Sequence, residues 1–176
     1  MLLPIIIGLV VVALAVFAFL AKRRGMQPDD TTDKTFSYTT NDSLLTPAER
    51  SFYGTLRACT GDQLTVFVKV RLADIFRPTK GGSSGEWRSA QNKIDRKHVD
   101  FLLCRADNLA PVAAIELDDS SHNRPESQKN DLFKDDLFAA SSVALLRVTT
   151  KQSYNPNEVA AAVNEAIASK KATPRS

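Results

Sequence analysis

The chain has 176 residues and a mass of 19.3 kDa, with 43% hydrophobic and 24% charged residues. This is the length and composition of about one globular domain, and it excludes a disordered protein. The net charge of +3 and the pI of about 8.9 exclude the dense basic patch of a dedicated nucleic-acid coat protein. Cys59 and Cys104 have neither paired nor metal-ligand spacing, which favours a reducing compartment.

The N-terminal segment is the longest apolar run in the chain. Residues 2–21, "LLPIIIGLVVVALAVFAFLA", carry no charge and would span roughly 30 Å as a helix, the thickness of a bilayer core. A cleaved signal peptide is the alternative, but its cations precede the apolar run, whereas "KRR" follows it here. We therefore expect a single transmembrane helix at 2–21, a cytoplasmic polar linker at 22–42 and a cytoplasmic body.

The folded region is predicted to span 43–168, followed by a basic tail at 169–176. Its predicted elements in chain order are a helix that Thr46 caps and that ends before Gly61, a strand at 63–72, a Gly/Ser-rich loop at 77–87, a short helix at 89–94, strands at 98–104 and 111–117, a helix at 125–140, a strand at 143–148 and a final helix opened by "NPNE". The last two strands enclose a helix, so they should be parallel. We predict an α/β fold with a mixed sheet flanked by helices.

Carboxylates follow the apolar strands of this predicted sheet. If the hairpin is symmetric about Asn108, Asp100 lies opposite Glu116, and strand alternation puts Asp118 on the same face as Glu116. Like charges opposite each other are destabilising, so the pair requires a compensating cation or a raised pKa. Acidic side chains at the ends of apolar strands favour a metal site. We expect it to lie in a solvent-accessible concavity.

The segments "VDF", "IELD", His122, "DLFKD" and "LLRV" resemble the restriction-endonuclease-like PD-(D/E)xK superfamily. The resemblance is to its very-short-patch-repair-like branch and, within it, to a bacterial domain family of unknown function with an N-terminal membrane anchor. It implies that Asp100 and Glu116 bind Mg²⁺ or Mn²⁺, with Asp118 as a further acidic member of the site. His122 would be the general base, and Glu49 falls where many members have a helix-borne carboxylate.

One position departs from the superfamily pattern. The usual lysine two residues after the Glu is replaced by Asp118, so its role would pass to Lys134 or Lys129 on the following helix, or to Lys97 beside Asp100. The resemblance implies a nuclease that acts on DNA or RNA, with DNA preferred, anchored in the bacterial inner membrane with its C-terminal domain in the cytoplasm. A catalytically inactive nucleic-acid-binding or scaffold domain of the same fold is the alternative. The sequence does not predict an oligomeric state.

Several of these residues also have a purely structural explanation. Glu49 fits the N3 position of a helix capping box. Asp118 fits a turn after a strand, and a loop histidine such as His122 often bonds only to nearby backbone. Lys129 fits a solvated helix face with paired charges. Trp87 fits either stacking on a base or partial burial.

Overall fold

The computed structural model describes residues 12, 14–17, 19, 37–79, 82–118 and 125–172, and it divides the chain into two compact units, 1–40 and 41–176. In the first unit, residues 12, 14–17 and 19 are helical and exposed. No helix within the described part of the chain is long and apolar enough to cross a membrane. Most of the predicted transmembrane helix at 2–21 lies outside the described residues, as does most of the predicted linker at 22–42.

The second unit is a mixed α/β domain. Its elements are α1 (Pro47–Thr60), β1 (Leu64–Arg71), α2 (Leu72–Ile75), α3 (Ser84–Asp95), β2 (His98–Arg105), β3 (Pro111–Asp118), α4 (Pro125–Ala139), β4 (Ala144–Thr149) and α5 (Pro156–Ala172). The described strands form one sheet in the order β1-β2-β3-β4. The β1–β2 and β2–β3 pairs are antiparallel and β3–β4 is parallel. The predicted α/β class with a mixed sheet flanked by helices is confirmed, and so is the predicted parallel pairing of β3 and β4.

The first helix begins where its capping box predicts. The Thr46 Oγ1 accepts from the Glu49 N–H at 3.3 Å, and the Glu49 Oε2 accepts from the Thr46 N–H at 2.9 Å. These two bonds satisfy backbone donors that have no partner inside a helix. The buried side chains of α1, Phe52 and Leu56, then face the sheet.

The loop predicted at 77–87 ends earlier than expected, and the helix predicted at 89–94 is confirmed but begins five residues sooner. A single helix, α3, begins at Ser84, because Ser83 and Glu86 form a second capping box. The Glu86 carboxylate accepts from the Ser83 N–H at 2.7 Å. The composition of "GGSSG" is typical of loops and so predicted a loop here. The Ser-x-x-Glu capping box that begins within it nevertheless starts a helix. Trp87 therefore lies in the first turn of a helix and is 46% exposed.

The core lies on both faces of the sheet. The first cluster joins the sheet to α1 and α5, with buried members Phe52, Leu56, Phe101, Leu103, Ala113, Ile115, Ala144, Val159 and Val163. The second cluster joins it to α2, α3 and α4, with buried members Leu72, Ile94, Val99, Leu102, Cys104, Ala114, Phe138 and Val143. In a sheet that is covered on both faces, the strands have nearly continuous apolar sequences. A charged residue within such a strand therefore indicates a specific partner or a functional site.

The predicted hairpin register holds at the centre of the β2–β3 pair. Phe101 is opposite Ile115 and Leu102 is opposite Ala114, as symmetry about Asn108 requires. The register shifts by one residue at Cys104, which pairs with Pro111 next to the turn. One step beyond Phe101, the same register leads to Asp100 and Glu116.

The alternation of side chains between the two sheet faces is interrupted once in β1, at Lys69, and once in β2, at Asp100. Val99 packs into the second cluster and Phe101 into the first, although strict alternation would put both on one face. Val68 and Val70, on either side of Lys69, also pack into different clusters. Lys69 has a left-handed backbone with φ of +52°. The register of β1 and β2 brings Lys69 and Asp100 to facing positions.

Candidate functional site

Asp100 lies between a lysine and a backbone amide. Its Oδ1 accepts from the Lys69 Nζ at 2.8 Å, and its Oδ2 accepts from the backbone N–H of Leu117 at 3.0 Å. The second bond joins β2 to β3 beyond the last paired residues of the ladder, because a side-chain oxygen replaces a backbone carbonyl as the acceptor. Asp100 is therefore held by two elements, and 17% of its side chain is exposed.

Glu49 uses its two oxygens for different purposes. Oε2 closes the capping box of α1, and Oε1 accepts from the Lys69 Nζ at 2.6 Å. The structural explanation from the sequence is thus correct for one oxygen, while the other joins the site. Lys69 links carboxylates from α1 and β2 that are far apart in the sequence.

Among the domain residues that the structure describes, Glu116 is the acidic residue that is buried, with 7% of its surface exposed. The Lys134 Nζ donates to its Oε1 at 2.5 Å, and the Arg147 Nη1 lies 3.8 Å from its Oε2. Strand β3 directs Glu116 toward the face that α4 covers, and Lys134 projects from α4. Lys134, one of the three lysines predicted to take the role of the superfamily lysine, therefore contacts Glu116.

Arg147 on β4 extends this arrangement toward solvent. It forms ion pairs of 3.1–3.4 Å with three carboxylates that are 41–50% exposed, namely Asp118, Asp131 and Asp135. Exposed ion pairs contribute little to stability. Arg147 is 25% exposed and so connects the buried Glu116 with a solvated acidic rim.

The surroundings shift the pKa of four groups in or beside the site, namely Glu116, Lys69, Arg147 and the neighbouring His98. Burial raises the pKa of Glu116, and the nearby charge of Asp100 adds to the rise, while Lys134 and Arg147 oppose it.

Desolvation alone would lower the pKa of Lys69, but hydrogen bonds to Asp100 and Glu49 give a net rise. Desolvation and the charge of Lys69 lower the pKa of His98. The site thus favours a cationic Lys69 and a neutral His98.

The remaining predicted residues have different positions. Asp118 lies at the rim, paired with Arg147. The Lys97 Nζ lies 5.5 Å from the centre of the Phe133 ring, a cation–π arrangement. Lys129 is exposed on α4. His122, predicted as the general base, lies outside the described residues.

The arrangement is more covered than the open concavity that the sequence suggests. Glu116 is buried and only 14% of the Lys134 side chain is exposed. Across the described part of the chain, no group of three or more His, Cys, Asp or Glu residues is placed to hold a metal ion. Instead, Asp100 and Glu116 are each paired with a lysine of their own.

No role in the site was predicted for Lys69, nor for Arg147, although Arg147 lies in the "LLRV" segment that carries the resemblance. Lys69 was detectable in principle, because a lysine between Val68 and Val70 interrupts an apolar strand as Asp100 interrupts the next one. A charge within a strand that is covered on both faces requires a partner. Arg147 interrupts β4 in the same way, so oppositely charged interruptions in neighbouring strands were the missed signal.

Comparison with known proteins identifies the family. The chain belongs to the DUF2726 family of proteins of unknown function, whose model matches residues 41–167. This span contains the whole sheet and every residue of the described site. No curated protein and no solved structure matches the chain.

Proposed function

We propose that the domain is a metal-dependent nuclease that hydrolyses phosphodiester bonds of DNA or RNA, with DNA the first substrate to test. The observation that carries the proposal is the contact between Lys134 and Glu116. The sequence resembles the PD-(D/E)xK superfamily but lacks its lysine two residues after the glutamate. Helix α4 supplies a lysine amine to the same carboxylate from a different position in the chain.

The donor set fits a hard divalent ion. Asp100 and Glu116 would hold Mg²⁺ or Mn²⁺ through carboxylate oxygens, and Mg²⁺ often takes only one or two protein carboxylates and keeps several waters. A cluster of three protein ligands is therefore not required. When bound, the ion would polarise the scissile phosphate and activate a water molecule.

The chain's own residues have distinct roles in this proposal. Lys134 would offset negative charge that develops on the phosphate. His122 remains the proposed general base. Arg147 would hold Asp118 at the rim, where that carboxylate is the further acidic member of the site. Glu49 would act through Lys69, because its contact with the site is the ion pair with that lysine.

Cleavage of plasmid, single-stranded DNA and RNA by the full-length chain in Mn²⁺, compared with EDTA, tests the proposal. Asp100→Asn and Glu116→Gln should each reduce cleavage about 100-fold or more, since both remove a charged ligand without changing size. Asp62→Asn, the same change at an exposed position beyond the opposite end of β1, should leave cleavage intact. Retained cleavage in both site variants would show that the activity does not come from this site.

A non-catalytic nucleic-acid-binding or scaffold domain is the second candidate. It is favoured by the pairing of both central carboxylates with lysines, which neutralises them without a metal. This candidate predicts DNA binding that is unaffected by EDTA, measured by fluorescence anisotropy, and no cleavage in any divalent ion. Such a result would replace the nuclease proposal.

We also propose that residues 2–21 anchor the protein in the bacterial inner membrane with the domain in the cytoplasm. The support is the uncharged run of membrane-spanning length and the basic "KRR" that follows it. Full-length protein should remain in the membrane pellet after carbonate extraction. Its release into the supernatant would refute the anchor.

A further inference from the structure

Lys69 has an unusual backbone for a residue within a strand. Its φ of +52° lies in the left-handed region, which is sterically unfavourable for a residue other than glycine. Val68 and Val70 on either side of it pack into the clusters on opposite faces of the sheet. The strand therefore changes its facing at Lys69, and the lysine side chain reaches both Glu49 and Asp100.

The two carboxylates that Lys69 joins do not depend on it for their positions. Asp100 is held through Oδ2 by the Leu117 N–H, and Glu49 is held through Oε2 by the Thr46 N–H. Each turns its remaining oxygen toward the Lys69 Nζ, at 2.8 and 2.6 Å. The ammonium thus lies between two anchored carboxylate oxygens, where it neutralises their mutual repulsion.

We propose that Lys69 is a built-in competitor of the divalent ion for Asp100, and so regulates metal loading of the site; this inference rests on the proposed function. In the metal-free domain the ammonium occupies Asp100 Oδ1. When an ion binds that oxygen, the ammonium keeps its other partner, Glu49 Oε1, and does not become an unpaired charge. Glu49 is the alternative partner that makes the release of Asp100 possible.

This arrangement predicts opposite effects from two substitutions. Lys69→Met removes the competing charge and keeps an apolar stem, so Asp100 is freed and metal binding becomes tighter. Glu49→Gln removes the alternative anionic partner but keeps an oxygen that can accept from the Thr46 N–H. Lys69 is then paired with Asp100 alone, so metal binding becomes weaker. A lysine that only positions the carboxylates would make binding weaker when it is removed.

Calorimetric titration of the full-length chain with MnCl₂ alone, repeated with MgCl₂, measures these effects. We expect Lys69→Met to lower the dissociation constant about tenfold and Glu49→Gln to raise it. Lys69→Arg retains the charge and should remain near the wild-type value. Lys93→Met, the same change on the exposed surface of α3, should have no effect.

The outcomes separate this inference from the proposed function. Unchanged or weaker metal binding in Lys69→Met overturns the competitor role, even if the wild-type chain cleaves nucleic acid. Tighter binding in that variant supports the role even if no variant cleaves any substrate, in which case only the nuclease proposal fails. If Lys69→Met does not fold, equal metal affinity in Glu49→Gln and the wild type overturns the inference.

Discussion

Glu116 shows how a single charged residue is accommodated within the sheet. Burial of its carboxylate disfavours ionisation, and the raised pKa of Glu116 records that cost. Lys134 from α4 compensates directly, while Arg147 contributes from a longer distance. A buried ion pair is often no more stable than an apolar pair of the same volume, but removal of one partner leaves an uncompensated charge.

Lys134→Met should therefore lower the free energy of unfolding by about 1–3 kcal/mol, because Glu116 loses its closest cation. The double variant Lys134→Met/Glu116→Gln should recover part of the loss, since the buried charge is then also removed. Urea denaturation of the three proteins measures both effects. Lys129→Met, on the exposed side of the same helix, is the matched control, and equal stability of the two lysine variants would contradict the prediction.

At the level of elements, capping boxes determine where two of the helices begin. In α1 and α3 a hydroxyl and a glutamate exchange hydrogen bonds with backbone N–H groups. In α3 the backbone and hydroxyl of Ser83 lower the pKa of Glu86. The ionised carboxylate is thus bound more favourably in the folded chain than in the unfolded chain.

This linkage predicts a pH dependence for α3. Because the pKa of Glu86 is lowered on folding, its contribution to stability is present above the ordinary carboxyl range and is lost as the pH falls through the lowered pKa. The wild type should exceed Glu86→Gln in stability at about pH 7, and the difference should shrink toward about pH 3. Urea titrations across this range, monitored by circular dichroism, provide the measurement. A constant difference at every pH would refute the assignment.

At the level of the whole molecule, the domain begins close to residue 41. The compact second unit starts at Asn41 and the family match covers 41–167. Its core consists of the first and second hydrophobic clusters, one on each face of the sheet. Together these two clusters contain buried residues from or adjoining every element from α1 through α5. We therefore expect the sheet and its helices to unfold as one cooperative unit.

A fragment of residues 41–172 should therefore fold without the N-terminal segment. We expect a single urea transition in which circular dichroism and tryptophan fluorescence coincide, as two-state unfolding requires. A fragment that begins at Ser51 lacks the capping box and Glu49, so its transition should occur at lower urea. Non-coincident transitions, or no transition in the longer fragment, would disprove the prediction.

The sequence by itself determined most of the elements and their connections, apart from the short helix α2 and the start of α3. Capping signals predicted α1, apolar runs predicted the strands, and the strand–helix–strand order required β3 and β4 to be parallel. It also identified Asp100 and Glu116 as unusual, because a carboxylate in an apolar strand is conspicuous in any fold. These properties depend on neighbours within a few residues, so they can be read directly from the chain.

Only the tertiary structure decided which charges meet. Lys69 pairs with residues 20 and 31 positions away, and Lys134 with one 18 positions away. Strict alternation could not locate the first of these pairs, because both strands change facing where Lys69 and Asp100 lie. The second depends on how α4 packs over β3. Such contacts depend on which side of the sheet each side chain lies and on how the helices pack over it. Both are properties of the whole folded domain, and no local sequence pattern specifies them.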